Sequence, residues 1–358
     1  MDIVSKAMAA LLPTDILFQT SFWARVKARL GLRPHAFDIP TAGPEKDVLV
    51  LLKTIGKYSI AVVPQGPEHS PPEDEYGAFL EDFSMALSKK LGPEVAFIRY
   101  DLPWLSPYAG EMKQGGWDAY PVPRLRELRM NMGTRFWNLK KAPEDMTVAS
   151  SLVVDLAGSE NDMLKRMKPK TRYNIRLALR KGVRVCEGSA HDLPTFYALY
   201  QQTALRNGFS PCGMKHFIAM FQCLVSTPGH SELLFLLTKH GADTLSGAIV
   251  GIAGESANFL YGASSNTKRN LMASSLMHWT GMLLARERGC LRYELGAVSP
   301  TDDPSHPFHG LYRFKTGFGG SIEYRSGSWD YPLLPEVYTE LRNAESMYAA
   351  SPQNGGNR

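Results

Sequence analysis

The chain has 358 residues, 44% hydrophobic and 21% charged, with a formal net charge of +5; this excludes disordered and fibrous classes, and the length is large for one core but comfortable for two domains. The charge excess is too mild for a protein that coats DNA, so where it sits matters more than its size. No apolar run reaches the ~18 to 20 residues of a membrane span, Pro13 and Asp15 interrupt the start too early for a signal peptide, and Cys186, Cys212, Cys223 and Cys290 lack CxxC spacing, which argues against a zinc site or disulfide framework and for a protein that stays in a reducing cytoplasm.

In chain order, "DVLVLLKTIGKYSIAVVPQGP" places two apolar runs around Ile55, Gly56 and Lys57 and predicts a β-hairpin closed by a Pro/Gly turn. "EYGAFLEDFSMALSKKLG" carries Phe79, Leu80, Phe83, Met85, Ala86 and Leu87 at helical spacing and stops at Gly92, and "EVAFIRYDLPW" follows as a strand. The stretch from Leu102 to Arg124 is rich in Pro, Gly and aromatics and is expected to be a loop over a cleft. Near residue 150 the pattern restarts: "ASSLVVDLAG" as a strand, then "SENDMLKRM" as a helix that Ser159 can cap with Asp162 three positions on. "LPTFYALYQQTALRNG" and "MKHFIAMFQCLVS" are amphipathic helices, "ELLFLLTKHG" and "LSGAIVGIAGESANFLYGA" adjacent strands, "SSLMHWTGMLLARERG" a buried helix ending at Gly289, and "CLRYELGAV" a strand. Two packed mixed α/β domains follow, with a disordered tail "AASPQNGGNR".

"KPKTRYNIRLALRKG" concentrates the positive charge. Lys168, Arg172, Arg176 and Arg180 recur every fourth residue, so a helix carries them as one stripe, while Ile175, Ala178 and Leu179 form an apolar stripe that docks on the body. Charge alone leaves two readings open, a solvated basic face or a site for a phosphate-rich partner.

"MKPKTRYNIRLALRKGVRV" resembles the signature of the Fem family (FemABX-like) of peptidoglycan bridge-forming aminoacyltransferases. "FLYGASSNTKRNLMASSLMHWTGMLLARERGCLRYELGAV", "GLYRFKTGFGG", "FQTSFWARVK" and "AVVPQGP" agree with it in order, from about residue 18 to about 340. The resemblance implies an α/β (α+β) protein of two N-acetyltransferase-like (GNAT) domains, each a mixed sheet flanked by helices. The first, precursor-binding, would hold residues 1–148 and 316–345, the second 149–315, with 346–358 as the tail. Nothing between Asn207 and Leu233 has the heptads of the long helical hairpin carried by larger members, so the chain resembles the compact, FemX-like form without the coiled-coil arm.

The activity so implied is transfer of an aminoacyl group from aminoacyl-tRNA to the third-position side-chain amine of a muramyl-pentapeptide precursor, UDP-linked or lipid-linked, with transient contact at the inner-membrane surface in the latter case. An aminoacyl ester is already activated, so neither metal nor cofactor is needed; the site must orient the amine, take its proton and stabilise the oxyanion. By the resemblance, Lys315 in "YRFK" contacts the reacting carbonyl or the tRNA end, with Phe314 beside it to stack on the terminal adenine. Lys27 in "WARVK", four residues from Trp23, grips the diphosphate; Tyr261 in "FLYGAS" contacts the muramyl peptide; Asp101 in "RYDLP" orients the acceptor first and moves protons second, because a carboxylate is a weak base for an ammonium. Lys168, Arg172, Arg176 and Arg180 are the residues expected to draw in tRNA. Where compact members place an Arg and a Tyr, this chain has Cys212 and His216, and Lys215 is positioned to supply the missing charge.

Cys212 has no His and acid arranged for a nucleophile, "RERGCLRYELG" lacks the Gly-rich turn for coenzyme A, and His306 and His309 belong to a solvated loop rather than a metal pair. Two other functions stay open: an acyl- or aminoacyltransferase acting on a protein N-terminus or small peptide, and a non-catalytic nucleic-acid-binding module. Competition by free tRNA separates the first, persistence of binding without turnover the second.

Overall fold

The computed structural model of the protein describes residues 1–40, 45–115, 119–225 and 231–349. Clustering of backbone contacts divides it into two compact units, Met1–Ala149 with Glu323–Ala349 and Ser150–Ile322. The first unit is therefore interrupted in sequence by the second.

The first unit opens with β1 (Val4–Lys6), α1 (Ser21–Arg29), β2 (Arg33–Ile39) and the hairpin β3 (Lys46–Ile55) and β4 (Tyr58–Val63). Thr20 caps α1 by accepting from the Trp23 N–H at 3.2 Å, which satisfies a donor the first helical turn leaves free. α2 (Tyr76–Leu91) buries Tyr76, Leu80, Phe83, Leu87 and Leu91 on one face and crosses back to β5 (Val95–Leu105), which lies parallel to β4. The segment expected as a loop from Leu102 to Arg124 is more ordered than that: β5 runs through Leu105, α3 (Ala109–Lys113) follows, and α4 (Pro123–Met130) starts inside it, with residues 116–118 outside the described residues. Pro107 stands just past the end of β5, and Pro123 occupies the first turn of α4, a position that tolerates it. β6 (Lys140–Lys141) closes this part.

The second unit comprises β7 (Ser150–Asp155), α5 (Glu160–Arg166), α6 (Pro169–Arg180), β8 (Arg184–Glu187), α7 (Leu193–Asn207), α8 (Met214–Val225), β9 (Ser231–His240), β10 (Asp243–Ala253), β11 (Ser256–Ser264), α9 (Ala273–Glu287), β12 (Arg292–Ala297) and α10 (His309–Lys315). Ser159 and Asp162 form the capping box foreseen for α5, with the Asp162 N–H on Ser159 Oγ and the Ser159 N–H on Asp162 Oδ2, both at 3.2 Å. Its core joins Leu152, Met163, Ile175, Leu236, Met282, Tyr293 and Phe318. Phe318 in that core explains why the chain stays in this unit past 316 and returns only at Glu323.

β13 (Ser321–Pro332) and α11 (Pro335–Ala349) complete the first unit. The expected tail began at 346; α11 continues through Ala349, and residues 350–358 lie outside the described residues. Within the first unit the strand order is β1-β2-β3-β4-β5-β13, and within the second it is β8-β9-β10-β11-β12-β7. All neighbours are antiparallel except one pair in each, β4 with β5 and β11 with β12, and each parallel pair is joined by a helix, α2 or α9. The two units thus repeat one strand arrangement, its end strand being the last in sequence in the first unit (β13) and the first in sequence in the second (β7).

Candidate active site

A parallel pair that separates leaves a crevice at the carboxyl ends of its strands, and residues just past the last paired position face it. In the second unit β11 and β12 pair over only three positions, Ser256 to Asn258 against Arg292 to Glu294, and then part. Both strands carry a bulge at that point, at Leu260 against β10 and at Leu295 against β7. Gly296 has φ +74, a conformation that favours glycine, and a Cβ there would stand 3.9 Å from Lys315 Nζ.

Lys315, the last residue of α10, is 6% exposed, and its Nζ donates to Ala297 O at 2.7 Å. Burial strips water from the ammonium and lowers its pKa to about 7, and the nearby Glu294 carboxylate opposes that fall. His278 of α9 packs among Phe259, Phe314 and Phe318 at ring separations of 4.6, 5.6 and 5.6 Å. Its pKa is lowered to about 3, by burial first and then by Lys315, so it is neutral, and its buried Nδ1 has no partner among the described residues. Phe314 is therefore in contact with an aromatic cluster beside the lysine rather than standing free.

Two residues along β11, Tyr261 bonds His216 Nε2 through its hydroxyl at 2.8 Å. Phe217 and Tyr200 enclose its ring at 5.0 and 6.1 Å, and Cys212 interacts with both tyrosines. Burial pushes the Tyr261 hydroxyl well above its ordinary range, so it remains a neutral donor. Lys215, one residue from His216 on α8, is exposed. Cys212 is a free thiol.

The basic run forms α6, but its four cations differ. The α6 face toward the core runs through Thr171, Ile175 and Ala178, which are buried. Leu179 lies about a quarter turn away and is 56% exposed, so it does not belong to the docked stripe as expected. Arg172 folds back, its guanidinium donating to Leu164 O and Met167 O at the end of α5, which removes it from the outward stripe. Lys168 is exposed and bonds Thr316 Oγ1 at 3.2 Å; Arg176 is exposed; Arg180 is exposed and lies over the Tyr173 ring at 5.9 Å.

In the first unit, Lys27 Nζ sits 4.5 Å over the buried Trp23 ring, one helical turn away as the spacing required. Asp101 follows the last β4–β5 pair, Val63 with Tyr100, so it too stands where a parallel pair ends. It is 2% exposed, and Thr147 Oγ1 and Ser328 Oγ donate to its carboxylate at 2.7 and 3.2 Å. Burial raises its pKa, against those hydrogen bonds. Its oxygens hold the hydroxyls of Thr147, in the bend before β7, and Ser328, within β13. His306 and His309 are engaged separately, the first accepting from the Phe308 N–H and the second on Asp302.

The structure thus joins Lys315 with Phe314 and Tyr261 with His216, and it adds His278 and Glu294, which the sequence offered only as polar residues inside apolar patterns. A histidine on the buried face of α9 was the one available signal.

Solved structures share this fold. The crystal structure of FemX matches with a TM-score of 0.73 at 19% identity, over 96% of this chain and 100% of that chain. A tandem GNAT protein from the clavulanic acid biosynthesis pathway matches at 0.51 and 12% identity, over 92% and 98%. The protein is accordingly a tandem N-acetyltransferase-like fold. Among curated proteins, lipid II:glycine glycyltransferase of Staphylococcus epidermidis is 23% identical over 91% of this chain and 90% of its own length. The enzyme of the same name from Staphylococcus saprophyticus is 24% identical over 54% of this chain, a match that spans 60% of that relative's length. The model of the FemAB family covers residues 127–224 and 231–346, and the chain belongs to the FemAB family.

Proposed function

We propose that the protein is an aminoacyltransferase of peptidoglycan bridge formation, taking its aminoacyl group from aminoacyl-tRNA and placing it on the third-position side-chain amine of a muramyl-pentapeptide. The observation that carries this reading is the FemAB match across both units, together with relatives named for glycyl transfer to lipid II. The lipid-linked precursor is the acceptor that those names favour.

In this reaction the amine nitrogen attacks the ester carbonyl, a tetrahedral oxyanion forms, the tRNA ribose oxygen leaves, and the amine gives up a proton. Lys315, in its protonated form, stabilises the oxyanion or the tRNA end, and the aromatic cluster around Phe314 gives the terminal base a surface to stack on. Neutral His278 keeps a second positive charge out of the same pocket. Tyr261, its hydroxyl oriented by His216, bonds the muramyl peptide, and Lys27 meets the diphosphate. Asp101 acts as a positioning residue through Thr147 and Ser328. Lys168, Arg176 and Arg180 gather tRNA by neutralising phosphates.

The test is incubation of the full chain with a mixed pool of aminoacyl-tRNAs and either UDP-linked or lipid-linked muramyl pentapeptide, followed by mass spectrometry of the acceptor. A mass increment of one amino acid on the third residue, abolished by ribonuclease, is the expected result. Turnover that persists without tRNA overturns the donor, and an increment elsewhere overturns the acceptor position.

A further inference from the structure

The first unit contains a small cleft open to solvent, lined by Tyr76, Ser106, Tyr108, Met130 and Trp329, with Arg126 among its lining residues. None of the residues assigned to acyl transfer lines it. Arg126 is 9% exposed, and its Nη2 donates to Ser326 O at 2.8 Å, at the bulge between Arg325 and Gly327 in β13. Its planar face rests on Tyr120 and Trp329 at 4.9 and 6.0 Å. Among the described residues no carboxylate forms an ion pair with it, and it lines the cleft.

The nearest compensating charge is Asp145, which already accepts from Lys141 Nζ, itself 4% exposed, and from the Ser328 N–H at 2.6 Å. Arg126 and Lys141, both desolvated, share Asp145, and the other carboxylate near Lys141, Asp330, is already paired with Arg99, so no carboxylate serves Arg126 alone. A buried charge of that kind is stabilised by a counter-anion supplied from outside. The rim has the opposite character: Glu73 is paired with Arg129, and Asp74 beside it is exposed. A polyanion or dianion meets repulsion there, whereas a monoanion with an apolar body passes the rim, lies along the aromatic walls, and presents two oxygens to the guanidinium.

We propose that this cleft binds the carboxylate of a small, apolar-bodied monoacid, the C-terminal end of a short peptide being the form it fits. The proposal stands apart from the acyl-transfer reading, and either can fail alone. It is tested by calorimetric titration of the full chain with N-acetyl-alanyl-alanine, with the same peptide as its C-terminal amide, and with inorganic phosphate. The acid is expected to bind saturably, the amide and phosphate at least about tenfold more weakly, and R126Q is expected to lose about tenfold in affinity for the acid. Should R126Q not fold, the acid-against-amide comparison on the unaltered protein still decides. Equal binding of acid and amide, tighter binding of phosphate, no saturable heat from the acid, or a folded R126Q that binds as well as the parent each overturns it.

Discussion

Lys315 stands close to its own titration point at neutral pH, because burial has brought its pKa to about 7. In the proposed reaction its ammonium is the working form, so the single-turnover rate should fall as pH rises through about 7, and the fall should be absent in Lys315→Arg, whose charge persists. Lys315→Ala should lose on the order of 100- to 1000-fold at low pH, the loss seen when one oxyanion-stabilising group is removed. Tyr261→Phe should lower kcat/KM by about tenfold and cost about 1–3 kcal/mol of stability, since it removes the hydroxyl bonded to buried His216 Nε2. The motif around "YRFK" made Lys315 legible in the sequence, but its burial was not. That depends on Ala297, Glu294 and His278, which arrive from two other segments. Asp101 shows the same limit: its place in "RYDLP" was visible, while the donors that occupy its carboxylate come from Thr147 and Ser328.

α6 shows what periodicity does and does not reveal about an element. Spacing of three and four gave the helix, its buried Ile175 and Ala178, and its row of cations. It did not reveal that Arg172 turns back to the carbonyls of α5 or that Leu179 faces water, because both depend on where the neighbouring helix ends. The two kinds of arginine should separate in experiment. R176E with R180E should weaken tRNA binding and reduce the magnitude of the salt slope by about 1.5, measured by filter binding over a salt series, with little change in stability. Arg172→Ala should instead cost roughly 1.5–3 kcal/mol of folding stability, read by urea denaturation, because carbonyls lose charged donors. Equal effects of the two on tRNA binding would contradict this division.

At the scale of the whole molecule, the hairpin, α2 and the β9–β11 meander were readable because each is a local pattern, whereas β13 was not. Its sequence "SIEYRSGSWDYP" is interrupted by a glycine at φ +71 and is buried almost continuously, so no alternation marks it. Its antiparallel partner, β5, lies more than 200 positions earlier. The join is secured by Arg99, which donates from Nε and Nη2 to the buried carboxylate of Asp330 at 2.6 and 2.8 Å and also reaches Glu345 of α11. Asp330→Ala should destabilise the chain by about 3 kcal/mol, measured by chemical denaturation, since it removes the buried one of the two carboxylates that pair with Arg99. This connectivity also bears on how the polypeptide is made. The second unit is contiguous and can fold as soon as it clears the ribosome. The first must wait for about 170 residues of the second and then for its own last strand, a delay of roughly 10 to 35 s at ordinary elongation rates. Throughout that interval the edge of β5 stands uncovered on the nascent chain, which makes the first unit the part most in need of a chaperone during translation.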